Sequence, residues 1–540
     1  MNSFKPMLLT SLKSYDRAQF AKDVTAGIIV AIIALPLSIA LALASGVGPE
    51  AGIFTAIVAG FVISALGGSC VQIAGPTAAF ATIVAGIVAR NGLEGLMTAT
   101  ILAGVFLIIM GFCHFGSLIK FIPYTITTGF TSGIAVTIVI GQLKDFCGVT
   151  YPDGVKPIET MEKLKAFAEN FSTISPDALI VGGVSLAILI VSPLIFKKIP
   201  GSLIAVIAGI LMVQFLPLHV STIGNLYTIS NALPTLHLPV FDMKLIQSAI
   251  PNAFTIAVLA AIESLLSCVV ADGMINSKHR SDTELIAQGA GNIASALFGG
   301  IPATGAIART AANIKNGGRT PVAGMVHSIT LVIVLVVLMP FAGMIPMPTI
   351  AAILFLVAYN MCQWRTFMHL VRTAPKSDII VLFTTFVLTV VFDLVVAIEI
   401  GMALACLLFI KRMSEETHAD SWVYVDDDSP AVDEHLQKLP LEIRVYEITG
   451  PLFFGAADAI EHIVVKDFTK CLVLRMRSVP AIDSTAMNAL QNLTKLCESK
   501  GITLVFSHVN EQPMKVMKKS GFVELVGEEN FCSNISDALK

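Results

Sequence analysis

Two charged residues sit where the chain is otherwise most apolar. Glu263 lies in mid-segment of FTIAVLAAIESLLSCVVADG (254–273), and Arg309 lies in the middle of GGIPATGAIARTAANIKNGGR (299–319). An ionisable side chain at membrane depth is costly and marks a functional position. A buried carboxylate is neutralised by a proton, a cation or an arginine. Glu263 and Arg309 therefore allow two readings: a permanent structural ion pair, or a carboxylate that exchanges a proton as a site beside the arginine fills. Ser267 follows Glu263 by one turn on the same helical face. The turns PATG (302–305) and GPT (75–77) supply small residues that let backbone approach a ligand. Thr77 and Thr304 are of the type that caps a helix start, and each carries a hydroxyl to donate. Helix starts offer free amides and partial positive charge. Two of them with an arginine make a site for an anion.

The elements that must position these residues follow from composition. The chain has 540 residues, of which 55% are apolar and only 14% charged. A soluble domain carries roughly 25% charged residues, so this is a polytopic helical membrane protein. Apolar segments are expected at 24–45, 50–67, 78–90, 93–112, 124–143, 176–196, 200–217, 248–272, 282–299, 305–315, 321–341, 347–363, 377–393 and 395–411. At 1.5 Å per residue, 78–90 and 305–315 reach only about halfway across a ~30 Å hydrocarbon layer. These half-helices fall third in each set of seven, separated by about 227 residues. Paired, interrupted short segments in two halves indicate an inverted repeat with a site at its centre. Seven is odd, so the halves enter from opposite sides and the two half-helix N-termini face each other at the midplane.

The loops on the side of the N-terminus hold most of the Lys and Arg, from Lys5, Lys13, Arg17 and Lys22 to Arg365, Arg372, Lys376, Lys411 and Arg412. The positive-inside rule then places both termini in the cytoplasm. The longest loop, 144–176, leans acidic and is expected outside. No cleavage site follows a short apolar run, so no removed signal peptide is expected. The domain reading is a cytoplasmic segment 1–23, a transport domain 24–413, a charged linker 414–439 and a soluble α/β domain 440–540. In that last domain strands are expected in 441–457, 471–479 and 502–507, with helices in 483–501 and near 511–519.

Other signals are bland. The nine cysteines are scattered as free thiols, with no disulfide framework and no metal cluster. The dispersed histidines receive no metal role, and no cofactor is expected. GAGNIA (289–294) matches a dinucleotide fingerprint only in letters; without a preceding strand it reads as close helix packing. No phosphate-binding loop couples the chain to ATP. Neither catalysis nor nucleic-acid binding is expected.

The segments DVTAGIIVAIIALPLSIALALASG (23–46), AGPTAAFATIVAG (74–86), AAIESLLSCVVADGM (260–274) and GGIPATGAIARTAANIKNGGRTPVAGM (299–325) resemble the signature segments of the SulP family of anion transporters. With the C-terminal region, the resemblance covers nearly the whole chain. It implies fourteen membrane segments in a seven-plus-seven inverted repeat, with a core domain moving against a gate domain. It implies anion contacts at Leu37 and Leu41, at Thr77, Ala78 and Phe80, and at Gly305, Ala306 and Ile307, with Arg309 at the family's basic position. Its coupling carboxylate falls on Glu263. Sodium-coupled members of the family have Asp with hydroxyl neighbours; Glu263 and the apolar Ile307 favour a proton. The C-terminal region resembles a STAS domain. In soluble relatives the Asp-Ser at the start of a helix carries a regulatory phosphate, here Asp483-Ser484, although helix capping alone accounts for both residues.

The expected function is secondary active transport of a small anion, namely sulfate, bicarbonate or a C4-dicarboxylate, by proton-coupled symport with alternating access. The alternatives are a passive anion channel or uniporter, and an anion sensor signalling through the STAS domain. The expected setting is a bacterial inner membrane, as a homodimer whose STAS domain meets cytoplasmic partners.

Overall fold

Helix starts and stops follow local chemistry. The computed structural model describes residues 4–117, 123–152, 155, 157–195, 200–239, 242–392, 394–422, 440, 442–461, 463 and 468–539. The first long helix, α1 (Arg17–Ala44), begins earlier than the expected residue 24 because the Asp16 carboxylate caps it, accepting from the Gln19 amide at 2.6 Å. Asp23 in its second turn is fully buried and accepts from the Thr320 hydroxyl at 2.6 Å and the Arg319 amide at 2.9 Å. Burial, with Asp23 close by, pushes the Tyr15 phenol up to about 12.

The chain continues through α2 (Pro49–Leu66), strand β1 (Ala74–Gly75), α3 (Ala78–Phe112), α4 (Tyr124–Cys147), α5 (Thr160–Glu169), α6 (Pro176–Ile195), α7 (Gly201–Phe215), α8 (Met243–Ile275) and α9 (Ser281–Leu297). Strand β2 (Thr304–Gly305), α10 (Ile307–Lys315), α11 (Val322–Ala342), α12 (Met347–Cys362), α13 (Trp364–Thr373), α14 (Lys376–Val391) and α15 (Leu394–Glu415) follow. Among the described residues, eight helices are long and apolar enough to cross a membrane. The fourteen expected segments fall on thirteen helices, because 78–90 and 93–112 are both parts of α3, which breaks at Gly92 (φ 68°). Of the helices named above, two lie outside that set. The sequence 160–169, expected as loop, forms α5, where Glu162 accepts from the Ile158 and Glu159 amides. Those bonds hold the Glu162 carboxyl below the usual carboxylate range. The other is α13, an amphipathic helix carrying Arg365 and Arg372.

Small residues set the closest helix packing. GAGNIA lies inside α9, and a Cβ on Gly289 would overlap the Gly104 carbonyl oxygen and the Ile108 side chain of α3. The packing reading of this motif therefore holds. Overpacking of this kind costs about 1–3 kcal/mol. Gly289→Ala will accordingly lower the melting temperature of the detergent-purified protein. Gly183→Ala, where a Cβ meets nothing within 4 Å, will not lower it.

By internal contacts the chain divides into Met1–Met402 and Ala403–Lys540. The second unit contains a five-stranded sheet of order β3-β4-β5-β6-β7, formed by His418–Trp422, Ile443–Thr449, Cys471–Ser478, Thr503–Ser507 and Phe531–Cys532. Strand β3 is antiparallel to β4 and the other pairings are parallel. Both faces are covered, as parallel strands require. Leu472, Leu474 and Phe506 pack on one side with α16 (Ser484–Ser499) and α17 (Glu511–Lys519), while Val445, Val473 and Val505 meet Ala538 on the other. The stretch expected as linker, 414–439, thus begins with the end of α15 and an edge strand; residues 423–439 lie outside the described residues.

Candidate functional site

The two interrupted segments meet as a short antiparallel ladder. Ala74 pairs with Gly305 and Gly75 with Thr304, and the Ala306 amide donates to the Ile73 carbonyl at 2.9 Å. From this ladder α3 and α10 depart, with Thr77 and Ala306 at their N-cap positions. The expected role of the threonines needs correcting here. Thr304 sits within β2, and its buried hydroxyl donates to the Ala260 carbonyl of α8 at 3.0 Å. Thr77 occupies a cap position without making a capping bond; its hydroxyl donates instead to Glu263 Oε2 at 2.9 Å. Neither half-helix start is closed by a side chain. The first-turn amides of both helices are therefore without a side-chain cap.

Arg309 lies just behind these starts, 1% exposed. Its Nη2 donates to Ser38 Oγ of α1 at 3.3 Å and to the Pro76 carbonyl at 3.2 Å. Among the described residues, Nε and Nη1 have no hydrogen-bond partner. Among the described residues Arg309 forms no ion pair, so the structural salt bridge with Glu263 is absent; the carboxylate is turned toward Thr77 instead. The glycine of GPT has a direct reason: a Cβ on Gly75 would overlap Arg309 Nη1. Bringing β1 this close places the guanidinium beneath both helix starts.

Helix α8 ties both half-helices together. Glu263 bonds to the first through Thr77, while Ser267 donates to Thr310 Oγ1 of the second at 3.4 Å. Thr310 Oγ1 in turn accepts from the Ile73 amide at 3.1 Å. Of the expected contact residues, Leu37, Thr77, Glu263 and Ala306 are half-buried and Ile307 is 42% exposed. Leu41, Ala78, Phe80 and Gly305 are buried and support the site from within. Ser484 belongs to the second unit. It is exposed in the first turn of α16, and Asp483 caps that helix, accepting from the Thr485 and Ala486 amides at 2.9 Å.

Several polar residues that hold the ladder escape the sequence reading. Glu284 is fully buried in α9 and accepts from Gly68 N, Ser69 N, Gln72 Nε2 and Gln288 Nε2. Asn292 brackets Ala303, donating to its carbonyl and accepting from its amide, each at 2.8 Å. The Asn313 amide donates to the Val71 carbonyl at 2.9 Å. Their common signal was available: each is a polar side chain inside or beside an apolar segment, the same cue that singled out Glu263. Among the described residues no group of three or more His, Cys, Asp or Glu is placed to hold a metal.

Residues 20–385 match the Sulfate permease family, and residues 438–538 match the STAS domain. The chain is 38% identical to the putative sulfate transporter YvdB of Bacillus subtilis, covering 96% of this chain and 97% of that protein. It is 33% identical to the bicarbonate transporter BicA of a Picosynechococcus species, covering 96% and 94%. The fold is similar to the solved structure of SLC26A9, with a TM-score of 0.86 at 20% identity over 98% of this chain and 91% of that one. Two facing half-helices on an antiparallel ladder, a buried arginine, and matches across both regions lead to one conclusion: the chain is a multi-pass membrane protein of the sulfate permease family of anion transporters, with a C-terminal STAS domain.

Proposed function

We propose that this protein is a secondary active transporter of a small oxyanion, coupled to a proton at Glu263. The observation that carries the reading is the buried Arg309, with unpartnered Nε and Nη1, beneath two helix starts that no side chain caps. A buried cation with unused donors is expensive unless an anion completes it. Charge-assisted bonds from a guanidinium to a planar or tetrahedral oxyanion have the right geometry.

Glu263 gives the coupling. Ionised, it is itself an anion at the first helix start, held by Thr77. A second anion beside it would be repelled in this low-dielectric setting. A proton on Glu263 removes one of the two charges, so proton and anion travel together. Thr77 stands between them, at the N-cap of the half-helix and on the carboxylate. Sodium is disfavoured because Ile307 is apolar where a coordinating oxygen would be needed.

The names of the similar proteins favour sulfate or bicarbonate over C4-dicarboxylates. The distribution of Lys and Arg supports both termini in the cytoplasm, and the similarity to bacterial proteins supports a bacterial inner membrane. Leu37, Leu41, Thr77, Ala78, Phe80, Gly305, Ala306 and Ile307 form the anion site with Arg309. Residues 24–413 serve as transport domain and 440–540 as STAS domain, the latter in a homodimer with cytoplasmic partners and with Ser484 exposed for phosphate transfer.

The test is uptake of labelled sulfate, bicarbonate, succinate and fumarate into proteoliposomes, with and without an inward proton gradient. Uptake of one oxyanion that rises with the gradient is expected. Gradient-independent flux would identify a channel or uniporter, and binding without flux a sensor.

A further inference from the structure

The first half-helix carries a second feature at its far end. Thr82, Gly86 and Arg90 lie along one of its faces, and that face walls a cavity of about 380 Å³. At about 30 Å³ per water, this has room for a small oxyanion with part of its hydration shell. From Arg90 to Thr82 the cavity runs eight residues along the helix, about 12 Å at 1.5 Å each. Thr82 is one turn from Ala78, so the path ends next to the helix start that forms the anion site.

The chemistry of the walls is selective. Arg90 Nη2 lies 3.7 Å from Glu159 Oε1, and both side chains are exposed, by 67% and 63%. An exposed pair of this kind is weak and readily exchanged. Among the described residues, Glu159 is the one acidic residue in the cavity wall. Thr137, Thr255 and Thr389 return their hydroxyl protons to carbonyls of their own helices. Thr82 belongs to the wall with its hydroxyl oxygen closed off from solvent, and Asn252 brings an amide. Among the described residues, the cavity thus presents a cation at its rim, one carboxylate occupying that cation, and the Asn252 amide within.

We propose that this cavity is a second anion site, a waiting site on the outer approach, where an arriving small oxyanion replaces the Glu159 carboxylate on Arg90 and moves on toward Asn252 and Thr82. The placement on the outer side rests on the transport reading and the orientation proposed above.

The experiment measures uptake of labelled sulfate and bicarbonate into cells expressing the full chain, for wild type, Arg90→Gln, Glu159→Gln and the double variant. Losing one charge-assisted contact raises the apparent KM of Arg90→Gln about five- to tenfold, with Vmax kept within about twofold. Glu159→Gln lowers the KM, because the competing carboxylate is gone, and the double variant behaves as Arg90→Gln alone. A purely structural pair would instead give the two single variants the same loss, in Vmax; that result, or an unchanged KM in Arg90→Gln, overturns the proposal. If the wild type moves neither anion, the transport reading fails separately. The waiting site is then judged by equilibrium binding of the two labelled anions to detergent-purified protein. Binding that Arg90→Gln removes and Arg309→Gln retains upholds it; binding insensitive to Arg90→Gln, or no binding, overturns it.

Discussion

Glu263→Gln will disconnect uptake from the proton gradient. The substitution keeps the size of the side chain and an oxygen to accept from the Thr77 hydroxyl, which now lies 2.9 Å from the carboxylate. It removes the charge and the site of the proton. In proteoliposomes, the ratio of uptake with and without an inward proton gradient should fall to about one, and gradient-driven uptake should fall roughly tenfold or more, the consequence of losing the carboxylate at the helix starts. Exchange of labelled for unlabelled anion should survive, because Arg309 and both helix starts remain. Because Gln cannot ionise, the pH dependence of uptake should flatten in the same variant. A gradient response that persists would mean the proton is carried elsewhere in the chain.

Arg309→Gln will remove transport of every anion. The guanidinium is 1% exposed and sits between the Pro76 carbonyl, Ser38 and the start of α10. Truncating a buried, hydrogen-bonded charge costs 2–5 kcal/mol in binding, which corresponds to a loss of roughly thirtyfold to several thousandfold. Arg309→Lys should restore little. A lysine is a compact point charge without the planar fork, and it cannot hold Ser38 and Pro76 while offering two further donors to an anion. The variant gives up the Nη2 bonds to Ser38 and Pro76 but also removes a buried charge whose Nε and Nη1 have no partner among the described residues, so the two effects on folding should largely offset. Monodisperse elution and an unchanged melting temperature would separate a lost site from a lost fold. Transport by Arg309→Gln with unchanged KM would show that the helix starts suffice alone.

These two residues were legible because water-soluble logic fails in an apolar segment: a charge there has no cheap explanation. The half-helices were legible because length is arithmetic at 1.5 Å per residue against a fixed hydrocarbon thickness. The role of the threonines was misread for an equally physical reason. Thr77 and Thr304 have the residue type of a cap, and type alone does not say where a hydroxyl points. Tertiary packing of α8 against both half-helices offers Glu263 and the Ala260 carbonyl as better acceptors. Helix α5 was missed because its residues carry no apolar run, and its start is stabilised by Glu162 on two backbone amides. The edge strand His418–Trp422 was missed because a strand at a sheet edge takes its stability from its neighbour β4.

By itself, the sequence determined the membrane class, the order and nearly the limits of the apolar segments, the pairing of two short ones, and the residues most costly to bury. All of these follow from local hydrophobicity, length and charge. The tertiary structure decided which partner each buried polar group takes. It joined Gly75 to Thr304 across more than two hundred residues, set Arg309 against Pro76 and Ser38, and gave Glu263 the Thr77 hydroxyl as its partner. Such choices depend on distances between helices remote in sequence, and a hydrogen bond forms only where donor and acceptor come within about 3 Å in the right direction.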